Sequence, residues 1–339
     1  MRGRILLISS GFSMSSGQGV EKRAKHILDG LQNMGIKVSP LQAKKIKLPG
    51  LRHFEYLVGL PLAYLFKGSR FDLVDFQLPE LSVGIGFIKC PKIVTVHDLI
   101  HVFSPEINPL LAKFYSRIIR TAVKEADVTI CVSSQTSEDI EKLGWKYNEK
   151  VVIHNGIDPE FRPLPNKEGL KERFYGKKDK IVLGYLGGLG RRKRPLKLIQ
   201  DFLSSDLSTD SVLVIWGRGP LEKKVEKLAD GKRVIYKGFA PQDQIVSIYN
   251  SFDVFVFPSA YEGFGIPILE ALACGVPTFI YRDAKIPREV ARYAEKIDGV
   301  DEIKIRKVLR SRIREVKQKF SWKKTVDKVL KVYSSLISL

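Results

Sequence analysis

Two glutamates, Glu262 and Glu270, stand eight positions apart in the segment PSAYEGFGIPILEALACGVP (258–277). Gly263 and Gly265 lie between them, directly before an apolar run that predicts a helix. Glycine lets a backbone approach a ligand closely, and the N–H groups at the start of a helix bind anionic oxygens. A carboxylate accepts hydrogen bonds from two adjacent hydroxyls, as a sugar ring offers. The spacing alone fits equally well a buried helix whose two glutamates are satisfied within the fold.

The chain carries a large excess of positive charge. Lys and Arg number 57 and Asp and Glu 37 in 339 residues, so the formal net charge is +20. Such a surplus attracts nucleic acid, an anionic membrane or phosphorylated substrates, and it does not choose among them. The hydrophobic share of 44% excludes a disordered or fibrous chain. The three cysteines form no C-x-x-C pair, which suits a reducing cytoplasm and excludes a cysteine-rich zinc site.

Short apolar runs alternate with helical patterns along the whole chain, beginning with ILLIS (5–9). A proline-rich stretch at 158–169 interrupts the alternation, which then restarts. Continuous apolar strands between helices predict parallel sheets covered on both faces. The sequence therefore predicts an α/β chain with two doubly wound, Rossmann-like domains, residues 1–163 and 164–319. The apolar runs of the sequence are too short for a signal peptide or a membrane-spanning helix, so neither is expected.

The segment 258–277 resembles the E-x7-E signature of the retaining glycosyltransferases of family 4, which have the GT-B fold. Further segments resemble the same family in the same order: SGQGVEKRAKHI, TVHDLIH, VIHNGID, LGYLGGLGRRKRP, IWGRGP and FSWKKTVDKVLKVY. The resemblance implies an acceptor-binding first domain and a nucleotide-sugar-binding second domain that face a central cleft. It also implies that a helix at about 320–339 returns to the first domain.

The resemblance assigns roles to individual residues of the second domain. Glu270 matches the carboxylate that holds the nucleotide ribose hydroxyls. Glu262 matches the carboxylate that orients the donor sugar near the reaction centre, and is therefore a candidate catalytic residue. Sugar and phosphates are expected to contact the backbone of four consecutive residues, Gly263, Phe264, Gly265 and Ile266.

Arg192 and Lys193 match residues that neutralise the diphosphate leaving group, a role that preorganised cations perform well. No Asp-x-Asp motif follows a strand, so we expect metal-independent chemistry that uses these cations and helix N-termini. Many relatives have an arginine where this chain has Gly188. A branch with a small residue there and a later Arg-Lys pair includes many mannosyltransferases, which favours GDP-mannose over a UDP-sugar. Without the neighbouring glycines, a solvated basic turn would be the ordinary interpretation.

Two residues of the first domain complete the predicted site. His97 follows a buried strand, and the matching histidine of the family lies beside the donor sugar. Its neutral form could hydrogen-bond the sugar, and its charged form could stabilise the transition state. Gly19, in the first strand-to-helix loop, is a candidate for close approach to the donor phosphate or the acceptor. We expect Asp98 to organise the loop after His97.

Basic residues concentrate in two regions. Between Lys304 and Lys331 there are 12 Lys and Arg and only 2 acids. A second cluster precedes FEYLVGLPLAYLF (54–66) and contains Lys44, Lys45, Lys47 and Arg52. Basic residues beside an apolar helix suit anionic lipid headgroups, which gives the hypothesis that the first domain docks on a membrane. A core-facing helix with solvated lysines is the alternative.

The sequence therefore predicts a cytoplasmic enzyme, peripheral on the membrane, without a prosthetic group. It would move a hexose, mannose being favoured, from a nucleoside diphosphate sugar to a glycan or lipid-linked acceptor. The alternatives are a UDP-sugar-dependent glucosyl or N-acetylglucosaminyl transferase, a GT-B epimerase, and an inactive scaffold or polyanion-binding protein. No nucleic acid partner is expected, because helix-turn-helix, zinc-finger and aromatic RNA-binding signatures are absent from the sequence.

Overall fold

The computed structural model describes residues 3–14, 19–43, 70–103, 109–208 and 210–339. The chain forms two compact units, Met1–Gly156 with Phe320–Leu339, and Ile157–Lys319. The boundary lies earlier than the predicted one at 163/164, because the residues after it pack on the second unit. Asn250 donates a hydrogen bond to the carbonyl of Arg162 at 3.0 Å, and the ring of Phe161 lies 5.9 Å from that of Tyr249.

Among the described residues, the first unit contains a six-stranded parallel sheet with the order β2-β1-β3-β4-β5-β6. Its inner strands β3 and β5 are buried at every residue, which explains their continuous apolar sequence. After β1 the chain places β2 on one side and β3 on the other. The loops that follow β1 and β3 therefore diverge at the carboxyl edge of the sheet. The strands are β1 (Arg4–Ser9), β2 (Lys37–Gln42), β3 (Leu73–Phe76), β4 (Lys92–Val96), β5 (Val128–Cys131) and β6 (Glu149–Val152).

The helices of the first unit cover this sheet. Helix α1 buries Ala24, Ile27, Leu28 and Leu31, which recur with the period of a helix and form one apolar face. Ser133 caps α4 by accepting a hydrogen bond from the backbone N–H of Thr136 at 3.1 Å. The helices are α1 (Gly19–Asn33), α2 (Ile100–Phe103), α3 (Pro109–Glu125) and α4 (Ser134–Lys142).

In its described residues, the second unit has a six-stranded parallel sheet with the order β12-β11-β10-β7-β8-β9. Counted from β7, this is the dinucleotide-binding order, with its topological switch point between the neighbouring strands β7 and β10. The strands are β7 (Ile181–Leu186), β8 (Ser211–Trp216), β9 (Val234–Gly238), β10 (Val254–Phe257), β11 (Thr278–Tyr281) and β12 (Glu295–Ile297). The helices are α5 (Lys167–Tyr175), α6 (Pro195–Leu203), α7 (Glu222–Leu228), α8 (Ile245–Asn250), α9 (Ile266–Ala273), α10 (Arg288–Ala291) and α11 (Arg310–Lys319).

The last helix, α12 (Trp322–Leu336), belongs to the first unit, where it packs against α1. A Cβ atom on Gly30 would lie 2.7 Å from the side chain of Val326, so the two helices are in close contact. The predicted α/β class with two parallel sheets and a returning C-terminal helix is confirmed. No helix in the described part of the chain has the length and apolarity that a membrane span requires.

Candidate active site

The predicted residues of the second unit converge where the switch point of its sheet predicts a ligand site. Strand β7 leads into the basic turn at 187–193, and β10 leads into the segment 258–265. Because β7 and β10 are neighbours, both loops leave the same edge of the sheet. The backbone N–H of Ala260 donates to the carbonyl of Arg192 at 2.9 Å and joins the loops directly.

Glu262 lies at the centre of a cluster of polar groups. Its Oε1 accepts hydrogen bonds from Lys193 Nζ at 2.6 Å and from Arg192 Nη1 at 2.9 Å. The hydroxyl of Ser259 donates to the same oxygen, and Arg192 also donates to the carbonyl of Tyr261. Among the described residues, all side-chain donors to this carboxylate reach Oε1, which leaves Oε2 for a ligand.

The electrostatics of the cluster keep Glu262 ionised. Burial alone would raise the pKa of this carboxyl group, since Glu262 as a whole residue is only 8% exposed. The charges of Lys193 and Arg192, with the hydrogen bonds from Lys193 and Ser259, outweigh burial and hold the pKa below its ordinary value. One carboxylate between two cations leaves the cluster with one positive charge in excess. A bound anion would complete its charge balance.

The four consecutive basic residues 191–194 do not all bind the same partner. Arg192 and Lys193 reach Glu262, whereas Arg194 donates through Nε to the carbonyl of Pro258 at 2.6 Å. The guanidinium of Arg194 also forms a bidentate pair with Asp283, at 2.6 and 2.9 Å. Its φ of 49° is left-handed, and these bonds stabilise that strained conformation. The sequence did not reveal this clamp, because Asp283 lies 89 positions further along the chain.

The glycine-containing turn after β8 packs against the basic loop and accepts hydrogen bonds from it. The N–H of Gly187 donates to the carbonyl of Trp216 at 3.0 Å, and that of Leu189 donates to Arg218 at 2.9 Å. A Cβ atom on Gly217 would lie 1.8 Å from the carbonyl oxygen of Gly187, so only glycine fits there. At Gly188 the nearest atom to a Cβ would be 4.0 Å away, so the fold itself leaves room for a side chain.

The segment between the two glutamates forms the start of α9. Gly265 caps this helix in a left-handed conformation with φ of 98°, a backbone geometry that favours glycine. Gly263 and Phe264 are buried, and Ile266 is the first residue of the helix and partly exposed. Because α9 follows β10, its N-terminus lies at the edge of the sheet that carries Glu262.

Glu270 lies in the second turn of α9, is 9% exposed and accepts a hydrogen bond from the hydroxyl of Tyr249 at 2.9 Å. Burial, with the nearby charge of Glu270, raises the pKa of Tyr249 well above its ordinary value. The tyrosine therefore stays protonated and remains a donor. Tyr185 has a comparable role in the basic loop, where its buried hydroxyl donates to the carbonyl of Gly188 at 2.7 Å. Neither tyrosine could be predicted from the sequence, because each looks like an ordinary core residue beside other apolar residues.

His97 follows β4 at the carboxyl edge of the first unit's sheet. Its Nε2 lies 3.0 Å from the carbonyl oxygen of Gln77, so this nitrogen carries the proton. Burial, assisted by the charge of Arg23, lowers the pKa of His97 to about 3. The ring is therefore neutral at physiological pH and presents the lone pair of Nδ1 as an acceptor. Asp98 organises the following turn, as expected, by accepting a hydrogen bond from the N–H of Ile100 at 3.0 Å.

A buried polar chain connects His97 to the C-terminal helix. Asp75 Oδ2 accepts hydrogen bonds from Gln77 Nε2 at 2.9 Å and from the hydroxyl of Tyr333 on α12. Burial raises the pKa of Asp75 to about 6 and lowers the pKa of Arg23 to about 10. Arg23 is fully buried and donates to Asn155 Oδ1 at 2.8 Å.

The structure brings together Arg192, Lys193 and Glu262, and places Glu270 in the helix that follows. Gly19 is the exposed first residue of α1, and the loop residues 15–18 lie outside the described residues, as does the basic cluster with the apolar run 54–66. Within the described ranges, no group of three or more His, Cys, Asp or Glu side chains is placed to hold a metal ion.

Comparisons with known proteins support the two-unit fold. The family model "Glycosyltransferase Family 4" matches residues 17–161, and "Glycosyl transferases group 1" matches residues 167–301. Among solved structures, sucrose-phosphate synthase of Thermosynechococcus elongatus has a TM-score of 0.79 at 18% identity, covering 99% of each chain. Anabaena HepE in complex with UDP-glucose has a TM-score of 0.75 at 17% identity, covering 99% of this chain and 100% of its own.

Relatives with curated descriptions transfer several different sugars. The chain is 25% identical to the sulfoquinovosyl transferase SQD2 of Arabidopsis thaliana over 71% of its length. It is 29% identical over 65% of its length to an Escherichia coli galactosyltransferase that acts on GlcNAc-diphosphoundecaprenol. It is 24% identical over 76% of its length to the mannosyltransferase WbdA of Escherichia coli. The matches span 51%, 60% and 35% of these relatives' own lengths.

Two Rossmann-like units, each with its own parallel sheet, together with the matching family models, define a glycosyltransferase of the GT-B type. The two family models match most of each unit, one model to each. The chain belongs to the glycosyltransferases of family 4.

Proposed function

We propose that this glycosyltransferase moves a hexose from a nucleoside diphosphate sugar to a glycan or lipid-linked acceptor, with retention of configuration and without a metal ion. The observation that carries the proposal is the cluster of Arg192, Lys193 and Glu262 at the switch point of the second unit. Its excess positive charge and its position at the carboxyl ends of β7 and β10 suit a diphosphate.

Arg192 and Lys193 stabilise the diphosphate as it departs. Both cations are held in place before the donor arrives, since Glu262 fixes them by short hydrogen bonds. Preorganised charge needs no rearrangement when negative charge develops, which is why it lowers the barrier to transfer. The N-terminus of α9, opened by Gly263, Phe264, Gly265 and Ile266, adds backbone N–H groups and a helix dipole on the same edge.

The two glutamates bind hydroxyls of the donor. Glu270 accepts from the ribose hydroxyls, and the hydroxyl of Tyr249 holds its carboxylate in orientation. Glu262 accepts from the donor sugar through Oε2, while Oε1 remains bound to the cations. The backbone around Gly188 approaches the donor phosphates, a role that agrees with the open space beside this glycine.

The first unit binds the acceptor. His97, neutral and with Nδ1 as acceptor, receives a hydrogen bond from a sugar hydroxyl, and Gly19 lets the backbone approach the acceptor or the donor phosphate. A leaving phosphate oxygen takes the proton of the attacking hydroxyl, so no protein base is needed. The acceptor oxygen forms the new bond to the anomeric carbon on the face from which the diphosphate departs.

Mannose from GDP-mannose is the donor that we favour, because the Arg192–Lys193 pair with Gly188 resembles the mannosyltransferase branch. The likeness to WbdA supports this choice. A UDP-sugar is the alternative, supported by the likeness to the galactosyltransferase and to HepE with UDP-glucose.

Calorimetric titration with GDP and UDP in the presence of EDTA tests the proposal. We expect one diphosphate to bind, and Lys193→Gln to weaken that binding at least about tenfold, the effect of one lost charge-assisted contact. Lys197→Gln, which removes a half-buried cation on α6 that pairs with Asp201, is the matched control and should bind as the wild type does. Binding that requires Mg²⁺ would refute metal-independent transfer, and no binding of either nucleotide would refute GDP-mannose and UDP-sugars as donors.

A further inference from the structure

The first turns of α3 expose large apolar side chains instead of burying them. Leu110 is 79% exposed, Leu111 46% and Phe114 41%. Phe103, 43% exposed, lies on α2, which packs against α3. We call these four residues the apolar face. Single apolar side chains are ordinary on a protein surface, but several on two packed helices mark a binding surface.

Three of the four residues of the apolar face lie on α3, whose buried residues lie in its C-terminal half. Ile119, Ala122 and Val123, later in α3, are buried against the sheet. The helix therefore changes character along its length: its C-terminal half contributes to the core, and its N-terminal half presents apolar side chains to solvent. Core packing does not explain the apolar residues of the first turns.

Positive charge accompanies the apolar face. Helix α3 contains Lys113, Arg117, Arg120 and Lys124, and its only acid is the last residue, Glu125. Lys113 and Arg117 are exposed and follow Leu110 by three and seven positions, so they lie on the same side of the helix. Apolar side chains flanked by cations are typical of helices that lie in the interface of an anionic membrane.

We propose that the apolar face, with Lys113 and Arg117, docks on the surface of an anionic lipid bilayer. A nucleic acid would use the cations but gain little from exposed leucines and phenylalanines. A second copy of the chain would bring the same cations against each other, which disfavours self-association. An anionic bilayer suits both the exposed apolar side chains and the cations beside them, because its apolar acyl chains lie beneath negatively charged headgroups. These residues are distinct from the basic cluster near 44–52, which lies outside the described residues.

The apolar face lies near the edge of the sheet that carries His97. Helix α3 connects the parallel strands β4 and β5, so its N-terminus lies at the carboxyl edge of the sheet, as in every βαβ unit. His97 leaves β4 at this same edge. Docking therefore brings the edge that carries His97 towards the headgroups, where the sugar of a lipid-linked acceptor would emerge. This last step rests on the proposed function, whereas the binding of lipid does not.

Co-sedimentation with vesicles tests the proposal without turnover. The wild-type protein is mixed with vesicles of phosphatidylcholine alone, or of phosphatidylcholine with phosphatidylglycerol, at low and at high salt. We expect binding to the anionic vesicles that weakens with salt. Leu110→Ser with Phe114→Ser should lower the partition coefficient at least about tenfold, and Lys113→Gln with Arg117→Gln roughly ten- to thirtyfold.

Two matched controls distinguish binding through the apolar face from non-specific binding through other exposed residues. Phe87→Ser removes a phenylalanine that is 78% exposed but lies on the turn beside Glu125, at the other end of α3. Lys223→Gln with Lys224→Gln removes two exposed cations from α7. Both should bind vesicles as the wild type does. Nucleotide titration of every variant keeps the proposed function separate, because docking variants should bind the nucleoside diphosphate normally.

Four results would overturn the proposal. The wild type fails to bind anionic vesicles, or the Leu110/Phe114 variant binds them as well as the wild type does. Alternatively, the wild type sediments as a dimer that the same variant dissociates, which would make the face a contact between copies. Binding to a DNA duplex in place of vesicles would assign the cations to a nucleic acid instead.

Discussion

Lys193 Nζ lies 2.6 Å from Glu262 Oε1, although 69 positions separate the two residues in the sequence. Both side chains are largely buried, at 18% and 11% exposure. The pair therefore joins two loops of the second unit and orders the cation that the proposed leaving group needs. Glu262 has two tasks in this account, to hold the cations and to bind the donor sugar, and they can be separated experimentally.

Glu262→Gln should separate the two tasks. The amide keeps the shape of the side chain but removes the charge between Arg192 and Lys193, so the protein without ligand should lose about 1–3 kcal/mol of unfolding free energy. Affinity for the nucleoside diphosphate should not fall, because both cations then face the phosphates. Turnover should fall at least about a hundredfold. Denaturant unfolding, calorimetric titration and transfer assays measure the three quantities, and diphosphate binding lost together with turnover would contradict the account.

The glycine loops allow a paired test of folding against binding. Gly217→Ala should destabilise the second unit by more than about 2 kcal/mol, because its Cβ atom would collide with the carbonyl of Gly187. Gly188→Ala should change stability by less than about 0.5 kcal/mol and yet weaken nucleotide binding, since the proposed donor approaches there. Urea unfolding and titration of both variants give the comparison. Unchanged nucleotide affinity in Gly188→Ala would remove this glycine from the proposed donor site.

The buried carboxyl group of Asp75 should change how the free energy of unfolding depends on pH. Its pKa rises from 3.8 to about 6 on folding, because burial penalises the charged form. The folded state therefore binds more protons than the unfolded state in this range, and the contribution of Asp75 to stability falls as the pH rises through it. Asp75→Asn removes this fall. Between these pKa values its unfolding free energy should rise more steeply with pH than that of the wild type, by up to about 1.4 kcal/mol per pH unit.

Urea unfolding at several pH values measures this difference. Asp72→Asn, which removes an exposed aspartate of the same unit, should keep the wild-type slope. A slope unchanged in Asp75→Asn would mean that Asp75 is ionised in the folded protein, as in solution.

His97 should leave no mark on the pH profile of turnover near neutrality. Its pKa lies far below the ordinary value of 6.5, so the ring is neutral throughout the usual assay range. His97→Gln should lower kcat/KM by about ten- to a hundredfold, the loss of one hydrogen bond to the substrate. The profiles of the variant and the wild type should run parallel from about pH 5 to 8. A limb near pH 6.5 in the wild type that is absent from the variant would show that the histidine titrates during catalysis.

Much of this architecture could be predicted from the sequence, and the reason is local. Continuous apolar runs such as the one at β7 and turns rich in glycine report directly on buried parallel strands and their loops. The glycines before the apolar run also predicted the start of α9, where Gly265 adopts its left-handed conformation. The proline-rich stretch suggested a later domain boundary than Gly156/Ile157, since a sequence pattern cannot show on which unit Phe161 packs.

Interactions between distant residues could not be predicted in this way. The clamp of Arg194 on Asp283, the support of Glu270 by Tyr249 and the chain from Tyr333 to Asp75 all join residues far apart in the sequence. Tyr249 and Tyr333 look like core residues, and only the tertiary structure shows what their hydroxyl groups bind. The neutral state of His97 likewise depends on burial near Arg23, which no local pattern reports.

The central claim is that the second unit binds a nucleoside diphosphate with Glu270 on its ribose. Thermal unfolding with UDP, GDP and ADP, for the wild type and for Glu270→Gln, tests it most directly. A ligand at a hundred times its dissociation constant stabilises a protein by about 2.7 kcal/mol, which such a scan detects. We predict that one of the three stabilises the wild type, that Glu270→Gln loses the effect, and that Glu226→Gln, an exposed control on α7, retains it. No stabilisation by any of the three, or equal stabilisation of Glu270→Gln, would contradict the claim.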